Sequence, residues 1–336
     1  MEHGTPRVSP AQIGEDLWAA LATQALVSGI ELRVFTHIAG GKSTPGAIAR
    51  AAHTSERGTR MLLDALAALG YLSKNGETYA LEPVANTFLV QGKASYMGDL
   101  ASATRLTYAG WANLTEAVKS GKPANAVDVE SSGKEFFPKL VGALFPSNYS
   151  ASRAALGSIP AKKRAALRDI LDVAAGSGAW SIPFAEANED ARVTVVDFPE
   201  VTPIAREFAA RFGVQDRYTY LEGSIRNLDF GRKKYDLVIL GHIIHSEGLK
   251  WGKKLIKKSF NSLRDGGLLL IGEMIPNDDR TGPKMAVLFG LNMLLHTNEG
   301  DVFTMKEYRR LLREAGFKKT GTISAPSPSP LILATK

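Results

Sequence analysis

The chain has 336 residues, no cysteine and a formal net charge of +7 at pH 7. This length suits about two domains with their own cores, and 44% hydrophobic residues are typical of a globular rather than a disordered protein. The absence of cysteine excludes disulfides, thiolate metal ligands and cysteine nucleophiles, and it fits a reducing compartment.

The first 95 residues predict a helical module that ends in a small wing. In 59-TRMLLDALAALGYL-72, apolar residues recur at helical spacing until Gly70 ends the helix. The next segment, 71–83, predicts a hairpin with Asn75-Gly76 at its turn. Helices followed by a two-stranded wing indicate a winged-helix-like domain over residues 1–95.

The remainder of the chain changes from helices to alternating elements. Residues 96–165 predict a helical connecting region. From 166 to 336, short β-branched runs alternate with helical stretches, which predicts βαβ units and a parallel sheet. We therefore expect a C-terminal α/β domain, doubly wound and Rossmann-like, in which 324-SAPSPSP-330 joins the last two strands.

A two-glycine turn follows the first strand of this α/β domain. In 171-LDVAAGSGAW-180 the turn contains Gly176 and Gly178, and Asp197 ends the next strand, 21 residues after the first of these glycines. Such a turn lets the backbone approach a ligand, and a carboxylate at the second strand end can accept both hydroxyls of a ribose. The spacing indicates a nucleoside ligand, although glycine turns also occur for packing alone.

The residues around this turn distinguish between nucleoside cofactors. Asp172 would repel the pyrophosphate of a dinucleotide, and Ser181 stands where the third glycine of a dinucleotide motif is expected. The same acid suits the α-ammonium group of S-adenosylmethionine (SAM), which has a ribose but no phosphate. The sequence favours SAM over a nicotinamide cofactor.

Two of the six histidines, His242 and His245, follow the strand 235-YDLVIL-240. Open α/β sheets bind their ligands at this carboxyl edge, and histidine is well suited to remove a proton from a phenol near neutral pH. A plain structural role is the alternative for a single loop histidine. The pair has metal-ligand spacing, but no third ligand is evident nearby in the sequence, so no metal site is predicted.

Taken together, these motifs resemble the dimeric small-molecule O-methyltransferases, which include plant phenolic, acetylserotonin and bacterial antibiotic-tailoring enzymes. The likeness covers nearly the whole chain, from the winged-helix module through 145-FPSNYSAS-152, DVAAGSGAW, VVDFPEV, LEGSI, LGHIIHSEG and GEMIPND to 305-MKEYRRLLREAGF-317. The resemblance implies methyl transfer from SAM to a hydroxyl of a small aromatic acceptor, by a homodimer built through the N-terminal module.

The resemblance also implies roles for individual residues. It identifies His245 as the general base and Glu273, at the end of the next strand, as the carboxylate that orients it. The implied cofactor residues are Asp172, Gly176, Gly178, Asp197, Phe198, Gly223, Ser224, Ile225, Gly241 and His242. The implied acceptor residues are Tyr149, Phe289, Asn292, Met293 and His296, and core packing explains the apolar ones equally well.

The sequence departs from the family at four places. Ala174 replaces a usual glycine, which is tolerable while its φ stays negative, and Ser224 replaces an aspartate that contacts adenine, so modest SAM affinity is expected. The family's His-Asp-Trp is His-Ser-Glu here, and its second carboxylate falls on Val302, with Glu299 and Asp301 nearby. His245 should therefore be a weaker base, and the enzyme would suit an acceptor that is already acidic or would work by proximity alone.

Two other functions compete with this interpretation. A winged-helix DNA-binding regulator would use 55–70 as its recognition helix, but only Arg57 and Arg60 there could reach DNA. The lysines of 250–264 fall opposite an apolar helical face, which is typical of a solvated helix, so no nucleic-acid partner is expected. The second competitor is a family member that binds SAM but performs changed chemistry.

A cytoplasmic protein without membrane contact is expected. The first 12 residues lack the basic flank and apolar core of a signal peptide. The longest apolar run, 285–295, is too short to span a bilayer and contains Asn292.

Overall fold

The computed structural model describes residues 9–93, 95–124, 126, 127 and 130–336. The chain forms two compact units that divide between Thr104 and Arg105. Within the described residues, no helix combines the length and the apolar character that crossing a membrane requires.

The N-terminal unit contains helices and one antiparallel hairpin. Its elements are α1 (Ala11–Glu31), α2 (Val34–Ala39), α3 (Pro45–Ala52), α4 (Glu56–Ala68), β1 (Leu72–Asn75), β2 (Thr78–Leu81) and α5 (Pro83–Phe88), followed by α6 (Asp99–Trp111), which crosses the unit boundary. The two-residue turn of the hairpin is Gly76-Glu77, with φ 58° at Gly76, while Asn75 ends β1 and pairs with Thr78, so the turn lies one residue later than the predicted Asn75-Gly76. At the start of α4 the Ser55 hydroxyl accepts a hydrogen bond from the Gly58 N–H at 3.1 Å, which caps the helix.

This unit has its own apolar core and one uncovered apolar face. Side chains of α2, α3 and α4, among them Phe35, Ile48 and Leu63, are fully buried together. The N-terminal half of α1 instead exposes large apolar side chains at helical spacing: Ile13, Leu17, Trp18 and Leu21.

The C-terminal unit is an α/β structure. Its elements are α7 (Leu114–Ser120), α8 (Glu130–Val141), α9 (Phe145–Ser158), α10 (Ala161–Ala165), β3 (Asp169–Val173), α11 (Ile182–Ala187), β4 (Arg192–Asp197), α12 (Thr202–Arg211), β5 (Tyr218–Glu222), β6 (Tyr235–Gly241), α13 (Ile244–Ser262), β7 (Leu263–Gly272), α14 (Lys284–His296), α15 (Met305–Ala315), β8 (Lys319–Ile323) and β9 (Leu331–Thr335).

Seven strands form one sheet in the order β5-β4-β3-β6-β7-β9-β8. The strands from β3 to β7 are parallel, and β9 pairs antiparallel with both β7 and β8, with 324–330 as the predicted connection. Apolar side chains on both faces of the sheet are buried, which explains why these strands read as continuous hydrophobic runs. The predicted fold class is confirmed.

The sheet topology fixes where a ligand can bind. β3 lies between β4 and β6, so the strand order reverses at β3 and the helices that follow β3 and β6 leave toward opposite faces. A crevice forms at such a reversal, outside the carboxyl ends of the strands. The sequence motifs that suggest a ligand lie at these strand ends.

Candidate active site

A buried carboxylate stands at the end of β3. Asp172 is 1% exposed, and neither of its oxygens has a hydrogen-bond partner among the described residues. Burial raises the pKa of Asp172 to about 7. Nearby Ser181 lowers this pKa in part, and the negative charge of Asp197 raises it further. A buried acid without partners is unfavourable by itself, and a cationic ligand group would satisfy it.

The turn after β3 has left-handed backbone at three positions. Gly176 and Gly178 have φ values of 58° and 73°, which glycine adopts without strain. Ala174 also has a positive φ of 53°, so the condition under which an alanine fits this loop without strain is not met. The Ala174 N–H donates to the Val196 carbonyl at 2.8 Å. This pairing to β4 holds the alanine in left-handed backbone, which costs about 1 kcal/mol relative to its ordinary conformations.

The acid at the end of β4 is tied to the same turn. Asp197 accepts a hydrogen bond at 2.8 Å from the Gly176 N–H on one oxygen and another at 2.8 Å from the Phe198 N–H on the other. Burial raises the pKa of Asp197 to about 6 against the opposing effect of these donors. Each carboxylate oxygen keeps a second lone pair, so the group can still accept two ribose hydroxyls.

A second turn follows β5 beside Asp197. The Gly223 N–H donates to the Asp197 carbonyl at 2.9 Å, and Gly223 has φ 142°. The Ser224 hydroxyl accepts the Arg226 N–H at 3.3 Å. Phe198, Ser224 and Ile225 are all partly buried, so the structure brings the residues expected around adenine to neighbouring strand ends.

An aromatic ring that the sequence did not single out lies under the ends of β6 and β7. A side chain at Gly241 or at Gly272 would overlap the Trp180 indole. Trp180 is 3% exposed, and its N–H has no hydrogen-bond partner within the part of the chain that the structure describes. The two strand-end glycines could have predicted a large side chain here. Because neither has a side chain, each leaves a space that a bulky residue from another segment can fill.

His242 lies next to this tryptophan. The centroid of its ring is 5.8 Å from that of Trp180, and the backbone N–H of His242 donates to the Gly272 carbonyl at 2.8 Å. The residue has φ 58°, another left-handed position. Burial lowers the pKa of His242 to about 4, so its imidazole is neutral at pH 7.

His245 and Glu273 form a buried pair at the ends of β6 and β7. The His245 Nδ1 lies 2.5 Å from Glu273 Oε2, while Oε1 accepts the Ile244 N–H at 2.7 Å. Burial would raise the pKa of Glu273, but the charge and hydrogen bond of His245 hold it below its ordinary value. A carboxylate at this position assigns the proton to Nδ1 and leaves Nε2 as the proton acceptor.

The family's second carboxylate has no counterpart at the His245 ring among the described residues. Val302 is buried and Glu299 is exposed. Asp301 lies 3.8 Å from Arg280 and accepts the Val302 N–H at 2.7 Å. Only the backbone of Asp301 contacts the histidine, through its N–H to the His245 carbonyl at 2.9 Å.

The structure supplies a third potential metal ligand that sequence spacing did not reveal. One ligand atom from each of His242, His245 and Glu273 lies within 4.8 Å of the others. However, 2.5 Å between Nδ1 and Oε2 is a direct hydrogen bond, and two ligands of one ion lie about 3 Å apart or more. The arrangement fits an acid–base pair better than a metal site.

The residues expected to contact the acceptor do not all come together. Phe289 on α14 packs edge-on against His245, with centroids 4.9 Å apart. Farther along α14, Met293 and His296 are buried and Asn292 is partly buried. Tyr149 instead donates to Glu186 at 2.7 Å, stacks on Phe145 and packs at a tilt against Phe212, and none of its described contacts is with a histidine.

Comparison with known proteins relates both units to one family. Residues 111–318 match the O-methyltransferase domain, and residues 17–91 match the O-methyltransferase dimerisation domain. The tetracenomycin polyketide synthesis 8-O-methyl transferase TcmO of Streptomyces glaucescens is 30% identical over 337 residues, which cover 97% of each chain.

Solved structures share the fold over the whole length. A proposed O-methyltransferase from Nostoc punctiforme superposes with a TM-score of 0.88 at 31% identity, covering 99% of this chain and 100% of its own. Human N-acetylserotonin methyltransferase, solved in complex with SAM, gives a TM-score of 0.83 at 23% identity, with 100% of this chain and 99% of its own covered.

Proposed function

Since the chain belongs to the family of SAM-dependent O-methyltransferases with an N-terminal dimerisation domain, we propose that it methylates a hydroxyl of a small aromatic molecule with His245 as general base. The observation that carries this proposal is the buried His245–Glu273 pair at the carboxyl edge of the sheet. It offers one unprotonated nitrogen, Nε2, beside the strand ends where the cofactor motifs converge.

The pair can remove the proton that limits methyl transfer to a phenol. A phenol with a pKa near 10 is about one part in a thousand ionised at pH 7, and a positioned base recovers roughly 10²–10⁴ in rate. His245 Nε2 takes the hydroxyl proton, and Glu273 stabilises the resulting imidazolium through Nδ1. Because none of the described residues places a second carboxylate at the ring, the site suits a hydroxyl more acidic than an ordinary phenol.

The cofactor motifs fit SAM at both ends. When bound, SAM supplies an electrophilic methyl group on a positively charged sulfur. Asp172, whose oxygens lack partners among the described residues, would hold the α-ammonium group, and Asp197 would accept the ribose hydroxyls with its remaining lone pairs. The turn at 223–225 and Phe198 would flank the adenine. We assign Gly176, Gly178, Gly241 and His242 to the lining of the same site.

We propose that α14 lines the acceptor side. The Phe289 ring beside His245 provides an apolar wall for a flat ring, and Asn292 offers a polar group on the same helix. The names of the relatives, a tetracenomycin polyketide transferase and an acetylserotonin transferase, support an aromatic acceptor. Met293, His296 and Tyr149 remain predicted contacts.

A homodimer built through the N-terminal unit is part of this proposal. The dimerisation-domain match covers three of the four apolar side chains that α1 exposes, Leu17, Trp18 and Leu21.

We propose no nucleic-acid partner, because Arg60 of the candidate recognition helix pairs with Asp64 at 2.9 Å. A gel-shift titration at two salt concentrations would reveal a DNA binder by its steep salt dependence. A cytoplasmic location remains a prediction for cell fractionation.

The test is to incubate the protein with SAM and a library of phenols and to search for products heavier by one methylene. Calorimetric titration of SAM runs in parallel. The control for His245→Ala is Ser246→Ala, whose hydroxyl only donates to the Ile243 carbonyl at 3.0 Å. We expect product from the wild type and the control but little from His245→Ala. SAM binding without transfer to any acceptor would instead favour changed chemistry.

A further inference from the structure

The short turn that carries His245 is separated from the helix behind it. Within α13, Gly248 has φ 70° and ψ 176°, which interrupts the helix one turn after its start. Gly248 is buried, and a side chain there would overlap the Glu299 carbonyl. The turn 244–247 is therefore not held in place by a continuous helical ladder and depends on contacts with other elements.

Three contacts hold this turn from three directions. Glu273 accepts the Ile244 N–H from the side of β7. The Asp301 N–H donates to the His245 carbonyl from the loop after α14. On the third side, Glu247 Oε2 lies 2.9 Å from the Nε of Arg226, which belongs to the turn after β5.

The Arg226–Glu247 pair joins the base to the cofactor side of the site. The Arg226 N–H donates to the hydroxyl of Ser224, a residue expected at the adenine. The Glu247 side chain is only 13% exposed and that of Arg226 is 36% exposed, so solvent screens this pair less than most surface pairs. The Arg226 guanidinium also lies 4.9 Å from the centroid of the Trp251 ring, which restricts its direction.

We infer that Arg226 and Glu247 are positioning residues that link the adenine-side turn to the turn carrying His245. This inference rests on the proposed function. The pair orders the 223–226 turn for SAM. Through Glu247 it also holds the turn 244–247 in place and thereby helps to fix the direction of the His245 ring. Neither residue is assigned a contact with the reacting atoms, so both act through their neighbours.

The experiment is a double-mutant cycle with Arg226→Met, Glu247→Gln and the double variant. The control is Glu314→Gln, because Glu314 pairs with Lys253 at 2.7 Å and anchors the same helix α13 to α15 away from the site. SAM affinity is measured by calorimetry, and kcat is measured with an ordinary phenol and with an acceptor that is ionised at the assay pH. Thermal unfolding confirms that each variant is folded.

Each single variant should raise the Kd for SAM by about fivefold, and the double variant should be no worse than either single one. With the ordinary phenol, kcat should fall by about tenfold, but with the ionised acceptor by less than about twofold, because no proton then has to be removed. The exchanged pair Arg226→Glu with Glu247→Arg should recover part of both losses. Glu314→Gln should leave both quantities unchanged.

Additive losses in SAM affinity, or equal losses of kcat with both acceptors, would overturn the linking role. If the wild type methylates no acceptor, the proposed function fails. The SAM-affinity cycle then decides the link without any acceptor, since unchanged or additive values contradict it and non-additive values support it.

Discussion

Replacing Asp172 by asparagine should stabilise the cofactor-free protein at pH 8 and weaken its binding of SAM. The carboxylate of Asp172 is buried, and neither oxygen has a hydrogen-bond partner among the described residues. An asparagine has nearly the same shape and no charge. The substitution therefore removes the charge that burial disfavours together with the charge that would bind the α-ammonium group.

The magnitude follows from the pKa. Burial raises the pKa of Asp172 from 3.8 to about 7, and each pKa unit corresponds to about 1.4 kcal/mol, which gives an upper limit of roughly 4 kcal/mol. The folded state holds the proton more tightly than the unfolded state, so ionisation lowers the stability of the wild type as pH rises from about 4 to about 7. Because the buried amide also needs partners, we expect a measured gain of about 1–3 kcal/mol at pH 8.

The assay is denaturant unfolding of wild type and Asp172→Asn at pH 5 and pH 8. At pH 5 the folded wild type is already protonated at this position, so the advantage of the variant should shrink there. Asp169→Asn on the same strand is the control, because Asp169 pairs with Arg264 at 2.7 Å and its loss should not stabilise the protein. A stability difference that is the same at both pH values would show that ionisation of Asp172 does not limit the stability of the folded protein.

The same titration should govern SAM affinity. An α-ammonium group favours the ionised carboxylate, so the affinity of the wild type should rise with pH up to about 7 and then level off. Asp172→Asn should bind SAM at least tenfold more weakly at pH 8, with a smaller difference at pH 5. Equal SAM affinities of the two proteins at pH 8 would show that Asp172 does not hold the cofactor.

Three further predictions concern the same edge of the sheet. Ala174→Gly should stabilise the protein by roughly 0.5–1 kcal/mol, because φ is 53° there, whereas the control Ala175→Gly should destabilise it in the same unfolding assay. Asp197→Ala should weaken SAM binding by about tenfold or more in calorimetry, and unchanged affinity would contradict the cofactor assignment. His245→Ala should lower kcat by ~10² or more for an ordinary phenol but by less than about tenfold for an ionised acceptor. Glu273→Gln should show the same trend with smaller losses, and both variants should keep the SAM affinity of the wild type. Equal losses of kcat for both acceptors would favour a positional role.

Local sequence signals predict most of the sheet and the glycine turn because these depend on short patterns. The strands β3, β4 and β6 are apolar runs that the sheet buries on both faces, and Gly76 marks the hairpin turn to within one residue. β7 starts at Leu263, before its apolar run begins. The segment 263–267 lacks the apolar pattern of a strand, but Leu263 still pairs with Tyr235 of β6 across an irregular register. Pairing of this kind is a tertiary effect that no local pattern records.

The site residues that the sequence missed depend on contacts between distant segments. The position of Trp180 is set by the absence of side chains at Gly241 and Gly272, more than 60 residues later. The pair of Arg226 and Glu247 joins two turns that are adjacent only in the folded sheet. The positive φ of Ala174 accompanies its hydrogen bond to Val196 on β4, a long-range contact that the residue type alone does not reveal.

The carboxyl edge of the sheet concentrates features that oppose folding and that packing alone does not require. Ala174 and His242 adopt left-handed backbone without being glycine, and Asp172 is a buried acid without partners among the described residues. Each disfavours the folded chain by about 1 kcal/mol or more, and they lie at the ends of the neighbouring strands β3 and β6. A cationic group that pairs with Asp172 would recover more of this free energy on binding than a neutral hydrogen-bond donor would, and an anion would recover none. We therefore expect the unpaired carboxylate of Asp172 to favour a positively charged cofactor such as SAM over a neutral one.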